Sequence, residues 1–401
     1  MKSAADAVRV AVVSDLHAFD RTLIEGDAPS FYDISTTTDD PLRSPTAGLL
    51  QLLIAKGTTA DVLLIPGDIS DKAHPTALQH AWAWINKCGE LLGAKVVATP
   101  GNHDMDSRHV YNSHDPRGVL LGLAPLFPLP TEPESVNDRF WARNFVVLVG
   151  SFGRVIIVNS AAFHGGASDE IKHGRIADST LRELTSALER DRQVAYPANI
   201  LVCHHHPKQH REIGTWADYE RMENGDGLLD LLGSGKYGEW ILVHGHKHFP
   251  KFEYAGGGSA SALILSAGSL SASLYPEIAG RARNQFYLME IDRSVTSLRG
   301  RVLAWDWSLG QGWMRASGRG SGLPAVAGFG WRGSIPEMTE RIASLVSEPF
   351  ALWDSIRQAI PELDFTLPAD LSAIAERLHD THQMNVLFDD GGVPVQVGKG
   401  P

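Results

Sequence analysis

Disulfide chemistry is all but absent from this chain: its 401 residues include two cysteines, Cys88 and Cys203. Each lies in an apolar run, so the pair reads as buried thiols of a reducing compartment rather than a disulfide framework. No stretch approaches the roughly 18 consecutive apolar residues of a membrane span. Residues 1–6 lack the basic-then-apolar plan of a secretory signal. Positive charge is also short, with 36 Lys and Arg against 47 Asp and Glu, a formal net charge of −11. That weighs against a surface dedicated to coating nucleic acid, although a local basic groove is compatible with it. These deficits lead to the expectation of a cytoplasmic globular protein without a membrane partner.

What is present is a core and an excess of one side chain. Hydrophobic residues make up 43% and charged residues 21%, which excludes wholesale disorder. The length suits one large α/β unit plus something smaller. Of the 17 histidines, several fall in tight groups: His103, His204–His206, His244, His246 and His248. Grouped imidazoles matter because neutral histidine is the commonest metal-binding side chain.

Short runs rich in valine and isoleucine recur at 8–13, 62–65, 96–98, 145–149, 155–158, 200–203, 240–243 and 262–265. They are continuous rather than alternating, as expected of strands buried on both faces. Pro75 is placed to open a helix that Gly93 closes. A second helix is expected from a cap at Asp178 or Ser179 to about residue 191, with Leu181, Leu184 and Leu188 on one stripe. Segments 285–291 and 298–305 read as a later strand pair. The fold class is therefore α/β with mixed sheets. Three long connections, 18–46, 105–144 and 206–225, exceed ordinary loop lengths. Long loops of this kind are functional lids or disordered insertions.

Five polar groups follow strands directly. They are Asp15 and His17; Gly67, Asp68 and Asp71; Gly101, Asn102, His103 and Asp104; His204; and Gly245, His246 and His248. Open α/β sheets gather ligands beyond the carboxyl ends of their strands, so the five groups should meet at one edge. Two alternatives stay open on the residues alone. Only one of two neighbours on an extended chain enters a metal shell easily, and His204 is favoured over His205 and His206 because it directly follows its strand. His103 fits either a third imidazole ligand or a proton donor. Asp71 favours a hydrogen bond to loop backbone over tuning of a ligand. His109 and His114 read as loop histidines, and Trp82 and Trp84 as one core and one surface residue of a helix.

The ordered set D-x-H, G-D-x-x-D, G-N-H-D, H and G-H-x-H resembles the signature of the calcineurin-like metallophosphoesterase superfamily, spread here from Asp15 to His248. The resemblance implies a four-layer αββα sandwich over residues 1–308, with a two-metal site at the sheet edge. It implies a first cation held by Asp15, His17, Asp68 and His248, and a second by Asp68, Asn102, His204 and His246. Mixed nitrogen and oxygen donors without thiolate suit Mn²⁺, Fe or Zn²⁺. It further implies hydrolysis of phosphodiester or phosphomonoester bonds by a metal-activated water, with His103 as the non-ligand catalyst and Asp104 fixing its orientation. The His-His-His-Pro and Gly-His-x-His pattern is similar to that of bacterial cyclic-nucleotide phosphodiesterases, which makes a phosphate ester, nucleotides among them, the expected partner. A DNA or RNA nuclease is the alternative, and a metal-binding scaffold without catalysis a more distant one.

The resemblance stops before the last hundred residues. Segment 309–333 is dense in glycine and reads as a linker or arm. Beyond it, 334–401 is expected to be a helical extension with patterns at 335–346, 351–360 and 371–379. Short isolated helices are marginal in water. Their apolar face, including Leu345, Leu352, Ile356, Leu371 and Leu378, should pack either on the sandwich near the active-site loops or on a second copy of the chain.

Overall fold

The computed structural model describes residues 7–36, 38–166, 173–210, 213, 220–256, 258, 260–318, 322–347 and 349–399. Residues 1–6, where no signal plan is read, and most of 211–219 in the third long connection lie outside these.

Strands form at the expected segments: β1 (Ala7–Val12), β2 (Val62–Ile65), β3 (Lys95–Ala98), β4 (Phe145–Gly150), β5 (Gly153–Val158), β6 (Asn199–Val202), β7 (Ile241–His244), β9 (Leu263–Ser266), β10 (Asn284–Asp292) and β11 (Gly300–Ser308), with β8 (Lys251–Tyr254) added where no apolar run announces it. The chain continues through β12 (Gly312–Arg315), β13 (Val326–Phe329), β14 (Phe350–Leu352), β15 (Met384–Phe388) and β16 (Pro394–Lys399). The helices are α1 (Pro45–Lys56), α2 (Pro75–Leu92), α3 (Gly118–Leu121), α4 (Glu134–Arg143), α5 (Asp178–Arg190), α6 (Gly225–Leu232), α7 (Pro276–Ala279), α8 (Ile335–Leu345), α9 (Trp353–Ala359) and α10 (Pro368–His382).

One sheet runs β12-β11-β10-β1-β2-β3, with β13 also paired to β11; a second runs β4-β5-β6-β7-β9-β8. β1, β2 and β3 are parallel, as are β5, β6, β7 and β9, so their carboxyl ends share a direction within each sheet. Val8, Val10 and Val12 of β1 meet Val155, Ile157, Val202 and Val243 between the sheets. Ala11, Leu63 and Ile65 point the other way, onto α1 and α2. Ile156, Leu201 and Leu242 do the same toward α5 and α6. Both faces of the central strands are thus buried, which is why the runs are continuously apolar. The result is the four-layer αββα sandwich.

Local details differ from the sequence reading in instructive ways. Pro75 and Gly93 do bound α2, but its cap is His74, whose side chain accepts from the Ala77 N–H. The cap of α5 is Ala177, not Asp178 or Ser179; Asp178 sits in the first turn and accepts from Asn224 Nδ2 at 2.9 Å. Trp82 and Trp84 are both buried, because their indole N–H groups reach carbonyls of Pro125 and Thr46 on opposite flanks of the helix. The long connections 18–46 and 105–144 are not structureless, since the second contains α3 and α4.

The glycine-dense segment is not a free arm. β12 and β13 both pair antiparallel with β11, and Trp313 Nε1 donates to Pro45 O at 2.8 Å. Glycine there serves close approach: a Cβ on Gly328 would come within 2.5 Å of Asp364 O. Beyond it, the three expected helices form, together with a three-stranded antiparallel sheet ordered β14-β16-β15 that the Gly/Pro/Val tail did not announce. Ile342, Ile356, Ile374, Leu378 and Val397 give this unit its own core. Of the stripe, Ile356 and Leu378 are buried in this core and Leu371 packs against it, whereas Leu345 and Leu352 are exposed. It docks on the outer strands of the first sheet, where Trp331 N–H donates to Phe365 O and the Arg299 guanidinium lies over the Phe365 ring. Because Gly300 and Asp292 pair toward Ala7, this docking is at the amino-terminal end of β1, opposite the end that carries Asp15, and not near the active-site loops.

Candidate metal centre

All seven expected ligands converge. Asp15 and His17 follow β1, Asp68 follows β2, Asn102 follows β3, His204 follows β6, and His246 and His248 follow β7. Five of them sit in the left-handed backbone region: Asp15 (φ 53°), His17 (47°), Asp68 (52°), His246 (76°) and His248 (52°). That region is costly for residues with a side chain, and such strain gathers at functional sites. Close packing at the turns demands glycine too. A Cβ on Gly101 would lie 2.1 Å from Asp68 Oδ1, and one on Gly245 would lie 2.3 Å from Asp15 Oδ2.

The donor atoms fall into two sets that meet at one oxygen. In the first, His248 Nε2 is 3.4 Å from Asp15 Oδ1 and 3.0 Å from His17 Nε2, which is 3.5 Å from Asp68 Oδ2. In the second, His204 Nε2 is 3.3 Å from the same Asp68 Oδ2 and 3.0 Å from Asn102 Oδ1, which is 3.1 Å from His246 Nδ1. Asp68 Oδ1 instead accepts the His103 N–H at 2.9 Å. His204 Nδ1 faces Pro66 O at 2.8 Å, so a backbone carbonyl holds its proton and leaves Nε2 as the donor lone pair. Carboxylates, an amide oxygen and imidazoles converging with no thiolate are a fitting donor set for a borderline or hard divalent cation.

Electrostatics set the same groups apart. Burial lowers the His17 pKa to about 3, against the opposing pull of Asp68. For His204, burial is outweighed by the charge and hydrogen bond of Asp68, and its pKa rises to about 9. The Asp68 carboxyl is held well below its usual range by His204 and His103, in spite of its burial.

His205 stays near this centre: its nitrogen, with those of His204 and His246, belongs to a group within 4.8 Å of one another. Its Nδ1 is engaged by Ser160 Oγ at 2.9 Å. That hydroxyl already accepts the N–H groups of His204 and His205, so its own proton goes to Nδ1. His205 thereby carries its N–H at Nε2, which suits it less for ligation than His204. His206 and His244 are also buried, with the His206 ring stacked on that of His246 at 5.5 Å.

The orientation expected of Asp104 belongs to Asp71. His103 Nδ1 lies 2.9 Å from Asp71 Oδ1, whereas the buried Asp104 accepts N–H groups from Ser70 and Gly101, each at 2.9 Å. Adjacent residues of a tight turn diverge, so Asp104 ties two turns together and cannot reach its neighbour's ring. Burial disfavours charge on His103, but Asp68 and then Asp71 outweigh it and raise its pKa. A cavity of about 430 Å³ opens over the donors, bounded also by Lys72, Arg108, Val110, Tyr111 and Glu220. The connection after β3 therefore does shape access. His109 braces it, with its two ring nitrogens 3.0 Å from Asn112 O and 2.9 Å from Gly165 O.

The sandwich gathers carboxylates, an amide oxygen and imidazoles at its strand ends, a group of residues able to hold metal. The chain belongs to the calcineurin-like phosphoesterase family, whose model matches residues 8–265. A second model, described as wHTH-Calcineurin_assc, matches residues 327–380, across the C-terminal helices. The chain is 28% identical over 193 residues to a cAMP/cGMP dual specificity phosphodiesterase of Mycobacterium tuberculosis, which covers 48% of this chain and 49% of that one. The chain thus matches about half the length of that curated relative. Similar solved structures include a purple acid phosphatase from yellow lupin, Lupinus luteus, at 15% identity and TM-score 0.45, covering 76% of this chain and 52% of that chain. Another is a 5'-nucleotidase precursor from Thermus thermophilus, at 11% identity and TM-score 0.35, covering 96% and 61%.

Proposed function

We propose that this protein hydrolyses phosphate esters at a dinuclear metal centre. The observation that carries the reading is Asp68 Oδ2, which lies 3.5 Å from His17 Nε2 and 3.3 Å from His204 Nε2, at the junction of both donor sets. Asp15, His17, Asp68 and His248 would hold one cation, and Asp68, Asn102, His204 and His246 the other, with Mn²⁺, Fe or Zn²⁺ compatible with the donors. Bound there, the cations would supply Lewis acidity to a phosphoryl group and lower the pKa of a water. Of the chain's own groups, Asp71 fixes His103 through Nδ1, so Nε2 is the nitrogen left to face the cavity. As water attacks phosphorus and the P–O bond to the alcohol breaks, His103 gives its proton to the departing oxygen.

Family membership and the phosphodiesterase relative support a phosphodiester or phosphomonoester of modest size. The nuclease alternative finds less support. Residues 334–401 carry four basic side chains, Arg341, Arg357, Arg377 and Lys399, among eleven acidic ones, the reverse of a nucleic-acid footprint. Among the described residues no helix is long and apolar enough to cross a membrane, and both cysteines are buried and free; a cytoplasmic setting accords with reduced thiols.

The test is a titration with Mn²⁺ followed by a panel of monoesters, diesters, cyclic nucleotides and single-stranded nucleic acid. Turnover of a small ester that saturates with metal is expected. Metal binding without turnover of any member would favour the silent scaffold.

A further inference from the structure

We propose that Val110 and Tyr111 form the wall that selects the alcohol portion of the ester, and that this portion carries a planar ring of nucleobase size. The inference rests on the phosphoesterase reading above and narrows its substrate.

Both side chains bound the cavity over the donor groups, and both face water: Val110 is 66% exposed and Tyr111 44%. Neither belongs to any of the four apolar clusters. A single exposed apolar residue needs no explanation. Here, however, the backbone beneath the pair is held in place. The buried Asp106 carboxylate accepts three successive N–H groups, from Val110 at 2.8 Å, Tyr111 at 2.7 Å and Asn112 at 2.8 Å. Its own N–H donates to Pro116 O, and His109 ties the same loop to Gly165. The Tyr111 ring is braced edge-on by the His74 imidazole, with centroids 5.8 Å apart at 82°. An anchored loop thus holds an aromatic ring and a branched side chain beside a polar floor, instead of burying them in the core.

A ligand that covers them must offer a flat apolar face while its phosphate reaches the floor. An aromatic ring does so, since stacking on tyrosine works for any base through its π-face. The volume of about 430 Å³ is that of a small-molecule site, with room for one nucleotide. Arg108 and Lys72, on the same boundary, add positive charge for an anionic ligand.

The experiment uses the full, Mn²⁺-loaded protein and two phosphonates, the analogues of adenosine 5′-monophosphate and of ribose 5-phosphate, in which a P–C bond replaces the cleavable ester. Calorimetry should give about tenfold tighter binding of the ring-bearing analogue. Tyr111→Ala should erase that preference, and Tyr111→Phe should keep it. The ratio of kcat/KM for the two parent esters should move in parallel. A wild-type protein without preference, or a Tyr111→Ala protein that weakens both ligands equally, overturns the proposal. Tyr111-dependent binding with no hydrolysis of these monoesters or of any diester or cyclic nucleotide in the panel above would instead sustain the wall and overturn the hydrolase reading.

Discussion

Asp71 and His103 come from two different turns, yet Asp71 Oδ1 lies 2.9 Å from His103 Nδ1 and fixes this ring. In an aqueous cavity that contact decides which imidazole nitrogen faces the substrate. His103→Ala should keep both metals and lower turnover by about 10²–10⁴, as for loss of a general acid. Asp71→Asn should lower it by about 10–100-fold, because the amide can still hold the ring but no longer favours its charged form. Rate measurements on both variants, with metal content checked, decide the matter; metal loss in His103→Ala would make His103 a ligand.

Gly101→Ala tests the tightness of the turns without touching any ligand. Its Cβ would fall 2.1 Å from Asp68 Oδ1, so the carboxylate must shift. Lower metal occupancy and lower activity are expected, by elemental analysis and rate assay. Full occupancy with wild-type turnover would show that the turn has slack.

His109 supplies a pH dependence. Its two ring nitrogens face the carbonyls of Gly165 and Asn112, which only accept, so both nitrogens must donate. Those two hydrogen bonds raise its pKa above the ordinary 6.5. A raised folded value means the brace is complete below pH 6.5 and is lost as pH rises through the raised pKa. A histidine NMR titration should place His109 above 6.5, and loop proteolysis should quicken at alkaline pH in the wild type but not in His109→Ala. A value at or below 6.5 would contradict the double clasp.

Much of this was legible in the residues. The continuous runs of β1, β2 and β7 announce strands covered on both faces, and the polar groups after them announce the edge where ligands meet. What the residues could not announce is contact between turns. Asp71 stands three residues past Asp68 and meets His103 only after β2 and β3 pair, so its contact with that ring could not be read from either turn alone. The left-handed backbone of Asp15, Asp68 and His248 leaves no trace in side-chain type. Glycine misled at Gly328 and Gly330, where it permits close packing rather than slack. The β16 strand hid in a tail where proline and glycine interrupt the apolar residues, Val395 exposed and Val397 buried.

Ending the chain after Ser308 would remove β12 and β13 and strip both partners from β11 on that side. An exposed strand edge invites pairing with other chains. Size-exclusion chromatography should show aggregation, although every metal ligand remains. A monodisperse truncation with unchanged turnover would show that the two strands and the helical unit are dispensable.

In the proposed centre Asp68, whose Oδ2 lies between His17 Nε2 and His204 Nε2, would be the residue that both cations need. Elemental analysis of the Mn²⁺-loaded protein beside Asp68→Ala tests it most directly, with circular dichroism to confirm the fold. The account predicts two metals per chain in the wild type, and loss of both, with activity abolished, in the variant. Two metals per chain retained in a folded Asp68→Ala protein would contradict it.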